Sequence, residues 1–280
     1  MKYLKLVIQI DDQYQEGLIA ELFDMDFNGF EQRNEKIITY IQKERFGIND
    51  RERIDTLLAA YPGNGFIESE EVVADQNWNQ KWEETIRAQA VGKFFIKPTW
   101  SNESVPDDKI LLKIDPKMSF GTGYHETTRL ILKLLPNVIS EGDQVIDAGT
   151  GTGILSIASI KLGAAQVHAF DIDEWSIENT EENILLNEVS DSITVEKGSS
   201  EVIENHQKAD VVLANIERNT ILDIFDDLHK VLKEEGTLVL SGLLKSNQLA
   251  MEERLEGDYR ITSIPQENEW IAIQATKIVS

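Results

Sequence analysis

The chain has 280 residues, of which 50 are acidic and 27 are basic, so its formal net charge at neutral pH is −23. Proteins that bind nucleic acids usually carry a basic face, so this charge argues against a nucleic-acid substrate. It favours a basic partner, and acidity that serves solubility alone is the open alternative. Cysteine is absent and the four histidines lack ligand spacing, which excludes disulfides and predicts no metal site.

An apolar content of 41% is sufficient for a packed core, and the length indicates two domains. The N-terminal apolar run is interrupted by Lys5 and Gln9 and lacks a following cleavage site, unlike a signal peptide. No segment reaches the roughly 18 apolar residues that a membrane helix requires. We therefore expect a soluble, cytoplasmic protein without a membrane partner, and a monomer is the expected assembly.

Residues 1–75 have the pattern of a small α+β domain. In chain order they contain strand Leu4–Ile10, a helix from Asp11 or Asp12 to Phe23, strands Phe30–Arg33 and Ile37–Ile41, a helix from Asn49 or Asp50 to Pro62, and strand Phe66–Val73. The order βαββαβ predicts a ferredoxin-like sandwich. Because it contains no catalytic constellation, we expect a substrate-recognition domain rather than an active site.

Residues 76–117 form a predicted linker. Trp78, Trp82 and Ile86 recur every four residues in a polar stretch, which predicts a helix with a narrow apolar stripe. Packing against both domains is the favoured interpretation of this stripe, and an aromatic platform for a substrate is the alternative. Strands are predicted at Lys93–Lys97 and Lys109–Ile114, without assignment to either domain.

Met118–Arg129 is a glycine-rich stretch that runs into an amphipathic helix, with Thr128 at the helix head. A helix cap at Thr127 or Thr128 is the simpler interpretation, but it does not explain Gly-Thr-Gly and a histidine upstream. We therefore interpret the stretch as a strap that covers a ligand. His125 could act as a base, although a histidine near a helix start more often holds a loop through hydrogen bonds.

Residues 143–173 form a nucleotide-binding βαβ pattern. It comprises, in order, strand Val145–Ile146, Asp147, a glycine-rich turn (Gly149, Gly151 and Gly153), a helix from Ile154 to Gly163, and strand Val167–Phe170. Asp171 ends the second strand, 22 residues after Gly149, where its carboxylate can accept hydrogen bonds from both ribose hydroxyls. Glycines at the turn let the backbone approach a ligand closely.

The turn favours S-adenosylmethionine over a dinucleotide. The dinucleotide fingerprint G-x-G-x-x-G is not met, because Ile154 stands where the third glycine would fall. Asp147 before the turn would repel a pyrophosphate, whereas S-adenosylmethionine has no phosphate and carries a positive amino group. We therefore predict that S-adenosylmethionine is the cofactor and that Gly149, Gly151 and Asp171 bind it.

Beyond residue 173, strands and helices alternate, which predicts a doubly wound α/β sheet with a crevice at the carboxyl ends of its strands. The predicted elements are helix Glu174–Asn187, strands Ile193–Glu196 and Asp210–Asn215, helix Thr220–Leu232, strand Thr237–Leu240 after a loop ending at Gly236, and the antiparallel pair Tyr259–Ile264 and Trp270–Ala275. Asp147, Asp171 and Asn215 all fall at strand ends, which supports one shared site.

The residues after the fourth strand bear on the acceptor. Methylases of amides or nucleic-acid bases typically have Asn/Asp-Pro-Pro-aromatic here, whereas this chain has Asn215-Ile-Glu-Arg218. A planar amide or base is therefore a poorer fit than an amine. We expect the Asn215 carbonyl to orient the amine without acting as the base; the simpler alternative is a turn residue at the strand end.

Four motifs together resemble one family. They are Phe120-Gly-Thr-Gly-Tyr-His-Glu-Thr-Thr, Asp147-Ala-Gly-Thr-Gly-Thr-Gly, Asp171-Ile-Asp173 and Ala214-Asn-Ile. The combination is similar to the bacterial family that methylates protein eleven of the large ribosomal subunit. The likeness extends to Trp78-x-x-x-Trp82, the βαββαβ domain, Ser241-Gly-Leu and Glu269-Trp-Ile. The strap discriminates this family, because the glycine-rich turn is common to a superfamily of methyltransferases.

This resemblance implies a class I methyltransferase with a seven-stranded doubly wound sheet in residues 118–280 and the ferredoxin-like domain before it. It implies cofactor contacts at Thr128, Gly149, Asp171 and Asn215. It also implies methylation of lysine side chains and the N-terminal α-amine of a basic ribosomal protein. The alternatives are a methyltransferase of another amine or amide, a nicotinamide-dependent dehydrogenase, and a non-catalytic nucleotide-binding protein.

Overall fold

The computed structural model describes residues 2–23, 25–61, 65–74, 86–117, 119–203 and 207–279. The chain divides into two compact units, Met1–Trp78 and Asn79–Ser280. The predicted helix through Trp78 and Trp82 falls on residues outside those described. Within the described residues, no helix is long and apolar enough to cross a membrane.

The first unit is an antiparallel sheet with two helices. Its elements are β1 (Lys2–Gln9), α1 (Gln15–Phe23), β2 (Asn28–Arg33), β3 (Lys36–Gln42), α2 (Ile48–Ala60) and β4 (Phe66–Ala74). The strands lie in the order β2-β3-β1-β4, which is the order of a ferredoxin-like sandwich. Alternate residues of β1, including Leu6 and Ile8, are fully buried and pack with Leu22, Ile54 and Leu58 of the helices. The predicted fold of this unit is confirmed.

The second helix of this unit begins earlier than predicted. Its N-cap is Gly47, not Asn49 or Asp50. Asp50 lies within the first turn, where its carboxylate accepts a hydrogen bond from Gly47 N (2.8 Å). An acidic side chain three residues into a helix can reach back to the N-cap in this way, and the sequence alone does not separate that position from the cap itself.

The predicted strands of the linker belong to a small sheet in the second unit. This sheet contains β5 (Gln89–Val91), β6 (Phe94–Lys97) and β7 (Ile110–Lys113), in that order. Its buried residues Phe94, Ile96 and Leu112 share one hydrophobic core with Ile131 and Leu135 of helix α3 (Glu126–Val138). Residues 86–117 therefore pack with the large sheet that follows them.

The remaining elements form that large sheet and its helices. They are β8 (Gln144–Ala148), α4 (Ile154–Lys161), β9 (Gln166–Asp171), α5 (Glu174–Leu186), β10 (Ile193–Lys197), β11 (Ala209–Asn215), α6 (Arg218–Val231), β12 (Leu232–Leu244), α7 (Gln248–Leu255), β13 (Tyr259–Ser263), β14 (Gln266–Glu267) and β15 (Trp270–Lys277). Seven strands lie in the order β10-β9-β8-β11-β12-β15-β13, and β14 pairs with β15. β8 to β12 pair in parallel, whereas β13 and β15 are antiparallel.

Both faces of the large sheet are covered. Adjacent strand residues alternate between two cores, so Val145 and Val211 face α3, α4 and α5, while Ile146 and Val212 face α6 and α7. Strands buried on both faces read as continuous apolar runs, as β8 and β11 do. The predicted doubly wound, seven-stranded fold is confirmed.

One predicted boundary in this sheet is wrong. The loop ending at Gly236 was expected to separate α6 from a short strand, yet β12 begins at Leu232, directly after the helix. The pairing with β11 shifts from Ala209↔Leu232 to Val211↔Thr237, so β12 has extra residues at this point. The expected loop is thus a bulge within one long strand. Helix α7 and the short strands β5 and β14 were not predicted.

Three buried asparagines, two on α5 and the third at its C-cap, cover the edge of the small sheet. Asn179, Asn183 and Asn187 recur every four residues, and all are almost fully buried. Asn183 Oδ1 accepts a hydrogen bond from Asp115 N (2.9 Å), and its Nδ2 donates to Thr152 O (2.9 Å). Asn179 donates to Asp115 O (2.7 Å), and Asn187 bonds both backbone groups of the last residue of β7. This row therefore joins the small sheet to the glycine-rich turn.

We expect Asn183→Ala to lower the free energy of unfolding by about 2–4 kcal/mol, because it leaves the buried Thr152 O and the partly buried Asp115 N without these partners. Urea denaturation followed by circular dichroism measures the change. Glu181→Ala, an exposed position on the same helix, is the control and should change stability by less than about 0.5 kcal/mol. A loss at Asn183 no larger than this control would contradict the role of the row.

Candidate active site

A cavity of about 500 Å³ opens at the carboxyl ends of the parallel strands. Four of the predicted site residues line it: Gly149, Gly151, Asp171 and Asn215. The fifth, Thr128, does not line it but is hydrogen-bonded to Asn215. This is the position at which open α/β sheets bind their ligands.

The glycine-rich turn approaches two other segments too closely for any side chain. All three glycines have positive φ, at +72° for Gly149, +59° for Gly151 and +78° for Gly153. A Cβ added at Gly151 would lie 2.2 Å from Phe120 O, and one at Gly149 would lie 2.2 Å from Ile216 Cγ2. The turn therefore requires glycine for both its conformation and its contacts.

Two hydrogen bonds from Thr152 hold the strap to this turn. Thr152 N donates to Phe120 O (2.8 Å), and the Thr152 hydroxyl donates to Gly121 O (2.6 Å). Further along, the Tyr124 hydroxyl donates to Arg87 O (2.5 Å). Residues 119–125 thus form one wall of the cavity, as expected for a strap.

His125 is the N-cap of α3, so neither Thr127 nor Thr128 performs that role. Its Nδ1 accepts a hydrogen bond from Thr127 N (3.3 Å) and lies 2.9 Å from the Thr127 hydroxyl oxygen. The imidazole also packs edge-on against Trp270, at 4.8 Å between ring centroids, and lies 5.2 Å from Phe120. His125 therefore holds the strap through hydrogen bonds and ring contacts, as a histidine near a helix start commonly does.

The Asp171 carboxylate accepts a hydrogen bond from the glycine-rich turn. Oδ2 accepts a hydrogen bond from Gly151 N (3.0 Å), and Oδ1 accepts one from Asp173 N (3.0 Å). These two bonds fix the carboxylate at the cavity wall, and each oxygen keeps a lone pair for another donor. Asp171 can thus accept hydrogen bonds from a ligand while it holds the turn.

Asn215 ends β11, lines the cavity and keeps its amide oxygen without a hydrogen-bond partner. The side chain is only 8% exposed, and Nδ2 donates to the fully buried Thr128 hydroxyl (3.2 Å). Oδ1 is buried and has no hydrogen-bond partner. Thr128 therefore sets the orientation of the amide and leaves Oδ1 available as an acceptor. A buried polar atom without a partner is costly, which indicates a ligand-binding role.

Asp147 is fully buried beneath the turn. Its Oδ2 accepts hydrogen bonds from the hydroxyls of Thr150 (2.8 Å) and Ser156 (2.6 Å), whereas Oδ1 has no partner. Burial raises the pKa of this carboxyl from 3.8 to about 6, although hydrogen bonds from Ser156 and Thr150 oppose the shift.

The lining fits a cationic ligand better than an anionic one. Among the described residues that line the cavity, Asp171, Asp173 and Glu217 are acidic, and there is no lysine or arginine. The buried atom that a lining residue leaves without a partner, Asn215 Oδ1, is also an acceptor. The glycine cradle and this acceptor set fit S-adenosylmethionine, which carries positive charge and no phosphate.

Several lining residues were missed as site residues from the sequence. Trp270 and Gly242 entered only through the short motifs Glu269-Trp-Ile and Ser241-Gly-Leu, and Glu217 only as part of the segment after Asn215. Gly242 has a φ of +82°, and an added Cβ would lie 2.2 Å from Ile216 O. An isolated glycine inside a strand pattern is the signal for such close approach, and it was available here.

We expect Asp147→Asn to stabilise the fold increasingly as the pH rises. The raised pKa means that the folded state holds its proton from about pH 4 to pH 6, while the unfolded state loses it. Wild-type stability should therefore fall through this range relative to the variant, by about 1–1.5 kcal/mol between pH 5 and pH 7.5. Urea unfolding at both pH values measures this, with Asp191→Asn as an exposed control. A difference that does not change with pH would contradict a charged, buried Asp147.

Relatives of known family match most of the chain. The family profile described as "Ribosomal protein L11 methyltransferase (PrmA)" matches residues 5–278. The chain is 37% identical over 217 residues to the ribosomal protein L11 methyltransferase of Caldanaerobacter subterraneus subsp. tengcongensis, covering 77% of this chain and 69% of the relative. It is 38% identical over 211 residues to that of Acetivibrio thermocellus, covering 75% and 66%. The matched region thus spans about two thirds of each relative.

A solved structure is similar as well. The crystal structure of a ribosomal protein L11 methylase from Lactobacillus delbrueckii subsp. bulgaricus matches 69% of this chain and all of its own chain. Its TM-score is 0.64 at 30% sequence identity. Since the family profile covers nearly the whole sequence, the chain belongs to the ribosomal protein L11 methyltransferase family, as its motifs predicted.

Proposed function

We propose that this methyltransferase uses S-adenosylmethionine to methylate lysine side chains and the N-terminal α-amine of ribosomal protein L11. The observation that carries the proposal is the single cavity that gathers Gly149, Gly151, Asp171 and Asn215. The printed names of the relatives support the acceptor. We further propose that the enzyme is monomeric, is cytoplasmic and has no direct nucleic-acid substrate.

The turn and its neighbours would hold the cofactor, whose sulfonium supplies the methyl group. The backbone of Gly149 and Gly151 offers close contact, and the Asp171 carboxylate can accept hydrogen bonds from ribose hydroxyls. The negative charge of Asp147 favours the positive amino group at the methionine end. The strap, held by Thr152, closes one side of the cavity.

The chain contributes positioning and desolvation at the acceptor amine. The free Oδ1 of Asn215 can accept an N–H from the amine, while the bond from Nδ2 to Thr128 fixes the orientation of the amide. This contact directs the nitrogen lone pair without taking a proton from it. Asn215 therefore acts as an orienting group and not as a base.

Deprotonation of the acceptor is the main energetic requirement. A lysine with a pKa of about 10.4 needs about 4.6 kcal/mol to become neutral at pH 7, whereas an α-amine near 7.7 needs only about 1 kcal/mol. A buried amide offers no charge that would hold the ammonium form, and burial itself favours the neutral amine. The interior of the cavity at Asn215 is thus suited to the neutral form.

We propose that residues 1–75, which lie in the first unit, recognise the substrate protein. Its sheet and helices supply a surface without a catalytic constellation, and the chain as a whole carries a net charge of −23. A basic ribosomal protein complements that charge, and long-range attraction would speed its approach.

The function is tested by transfer of labelled methyl groups to purified ribosomal protein L11, with the modified amines mapped by mass spectrometry. We expect labelled lysines and a labelled N-terminus, and calorimetry should detect S-adenosylmethionine but not NAD. Cofactor binding without transfer to L11 would favour another amine or amide substrate. Binding of NAD instead of S-adenosylmethionine would favour a nicotinamide-dependent dehydrogenase.

We expect Asn215→Ala to reduce kcat/KM for methyl transfer by about 10- to 100-fold, the loss of one buried oriented hydrogen bond. Stability should fall only modestly, by about 1 kcal/mol, because the variant removes an acceptor that has no partner together with the bond to the buried Thr128 hydroxyl. Asn137→Ala, an exposed asparagine on α3, is the control and should behave as the unaltered enzyme. Unchanged methyl transfer and unchanged cofactor affinity in Asn215→Ala would contradict the role of Asn215 as an orienting group.

A further inference from the structure

Glu217 lines the cavity two residues after Asn215. It is the N-cap residue of α6, yet its side chain makes no capping hydrogen bond. The side chain is exposed, and no hydrogen bond or ion pair joins it to the rest of the described chain. The Glu217 carboxylate thus lies at the cavity wall without a contact that stabilises the fold.

The other two carboxylates of the lining make such contacts. Asp171 binds Gly151 N and Asp173 N, which holds the glycine-rich turn. Asp173 caps α5 by accepting hydrogen bonds from Trp175 N (3.2 Å) and the Ser176 hydroxyl (3.3 Å). These groups shape the cofactor side of the cavity, whereas Glu217 adjoins the amide that we assign to the acceptor.

The position of Glu217 is fixed by its predecessor, Ile216. A Cβ at Gly149 would lie 2.2 Å from Ile216 Cγ2, and one at Gly242 would lie 2.2 Å from Ile216 O. The backbone of Ile216 therefore passes between two glycines that allow no displacement towards them. Glu217 projects from a rigid base, as a group that receives a ligand should.

A second observation points to the same ligand. Asn215 is nine-tenths buried and lines the same cavity, and its Oδ1 has no hydrogen-bond partner. The exposed carboxylate and the buried amide oxygen are both acceptors, and no lysine or arginine occurs among the described lining residues. A group with several N–H donors and a positive charge satisfies both.

We propose that Glu217 is the entry site for the acceptor, where its carboxylate binds the charged ammonium before the amine reaches Asn215. This inference rests on the proposed function and adds a residue that selects cationic acceptors. At the rim, the ion pair is formed in contact with solvent. As the group moves inward, one N–H bond breaks, its electron pair stays on nitrogen, and the proton goes to solvent water.

The test compares Glu217→Gln, Glu217→Asp and the matched control Asp223→Asn, which removes a charge from an exposed position on the same helix. Transfer to purified ribosomal protein L11 is measured at several pH values, and S-adenosylmethionine affinity is measured by calorimetry. Glu217→Gln should raise KM for L11 about 3- to 10-fold and leave cofactor affinity within about twofold. Glu217→Asp should restore most of the loss.

The pH dependence separates binding of an ammonium from a structural effect. A carboxylate stabilises the charged form of a bound amine, so its removal lowers the amine pKa in the complex. The rise of kcat with pH should therefore shift to lower pH in Glu217→Gln by about half a unit, because kcat reports groups in the bound complex. Asp223→Asn should not shift it.

Equal KM values and equal pH profiles in Glu217→Gln and Asp223→Asn would overturn this inference and leave the proposed function intact. Loss of S-adenosylmethionine binding in Glu217→Gln would also overturn it, because the carboxylate would then serve the cofactor. Absence of any transfer to L11 by the unaltered enzyme would overturn the proposed function and this inference together.

Discussion

The site depends on the crossing of two backbone segments at Gly151. Its N–H is bound by Asp171, its carbonyl accepts a hydrogen bond from the Thr180 hydroxyl (2.8 Å), and the space for a side chain is filled by Phe120 O. Both backbone polar groups of Gly151 are hydrogen-bonded, and Phe120 O occupies the space that a Cβ would need. The turn therefore has one position relative to β9, α5 and the strap. The cavity wall, the orientation of Asp171 and the path of the strap all follow from that contact.

Around this crossing, the chain divides its buried polar groups into two kinds. The asparagines of α5 are bonded to backbone and hold the small sheet to the turn, so they contribute to stability. Asp147, Asn215 and also Asn179 each keep one buried oxygen without a hydrogen-bond partner, which lowers stability. Proteins keep such costs where a ligand uses the atoms, and Asp147 and Asn215 both lie at carboxyl ends of strands.

Much of this could be predicted from sequence, because local patterns determine local structure. The strand, turn and helix around Gly149 follow from β-branched residues, positive-φ glycines and helical spacing, and Asp171 follows from its place at a strand end. The partnership of Thr128 with Asn215 could not be predicted, since 87 residues separate them. Likewise, Asn179 on a helix looks like a solvent-facing residue. Its position in the helical repeat does not show whether its amide bonds water or the backbone beside a strand, as it does at Asp115 O.

The electrostatic arrangement explains how one cavity can serve acceptors of different basicity. A lysine and an α-amine both arrive as cations at neutral pH, so an exposed carboxylate at Glu217 attracts them alike. Beyond it lies a buried amide at Asn215, which offers a hydrogen-bond acceptor without a full charge. A carboxylate in that inner position would hold the lysine protonated and slow transfer most where deprotonation is already hardest. With the carboxylate at the rim and the neutral amide inside, the cavity first attracts the charged ammonium group. It then favours the neutral amine, which is the nucleophile.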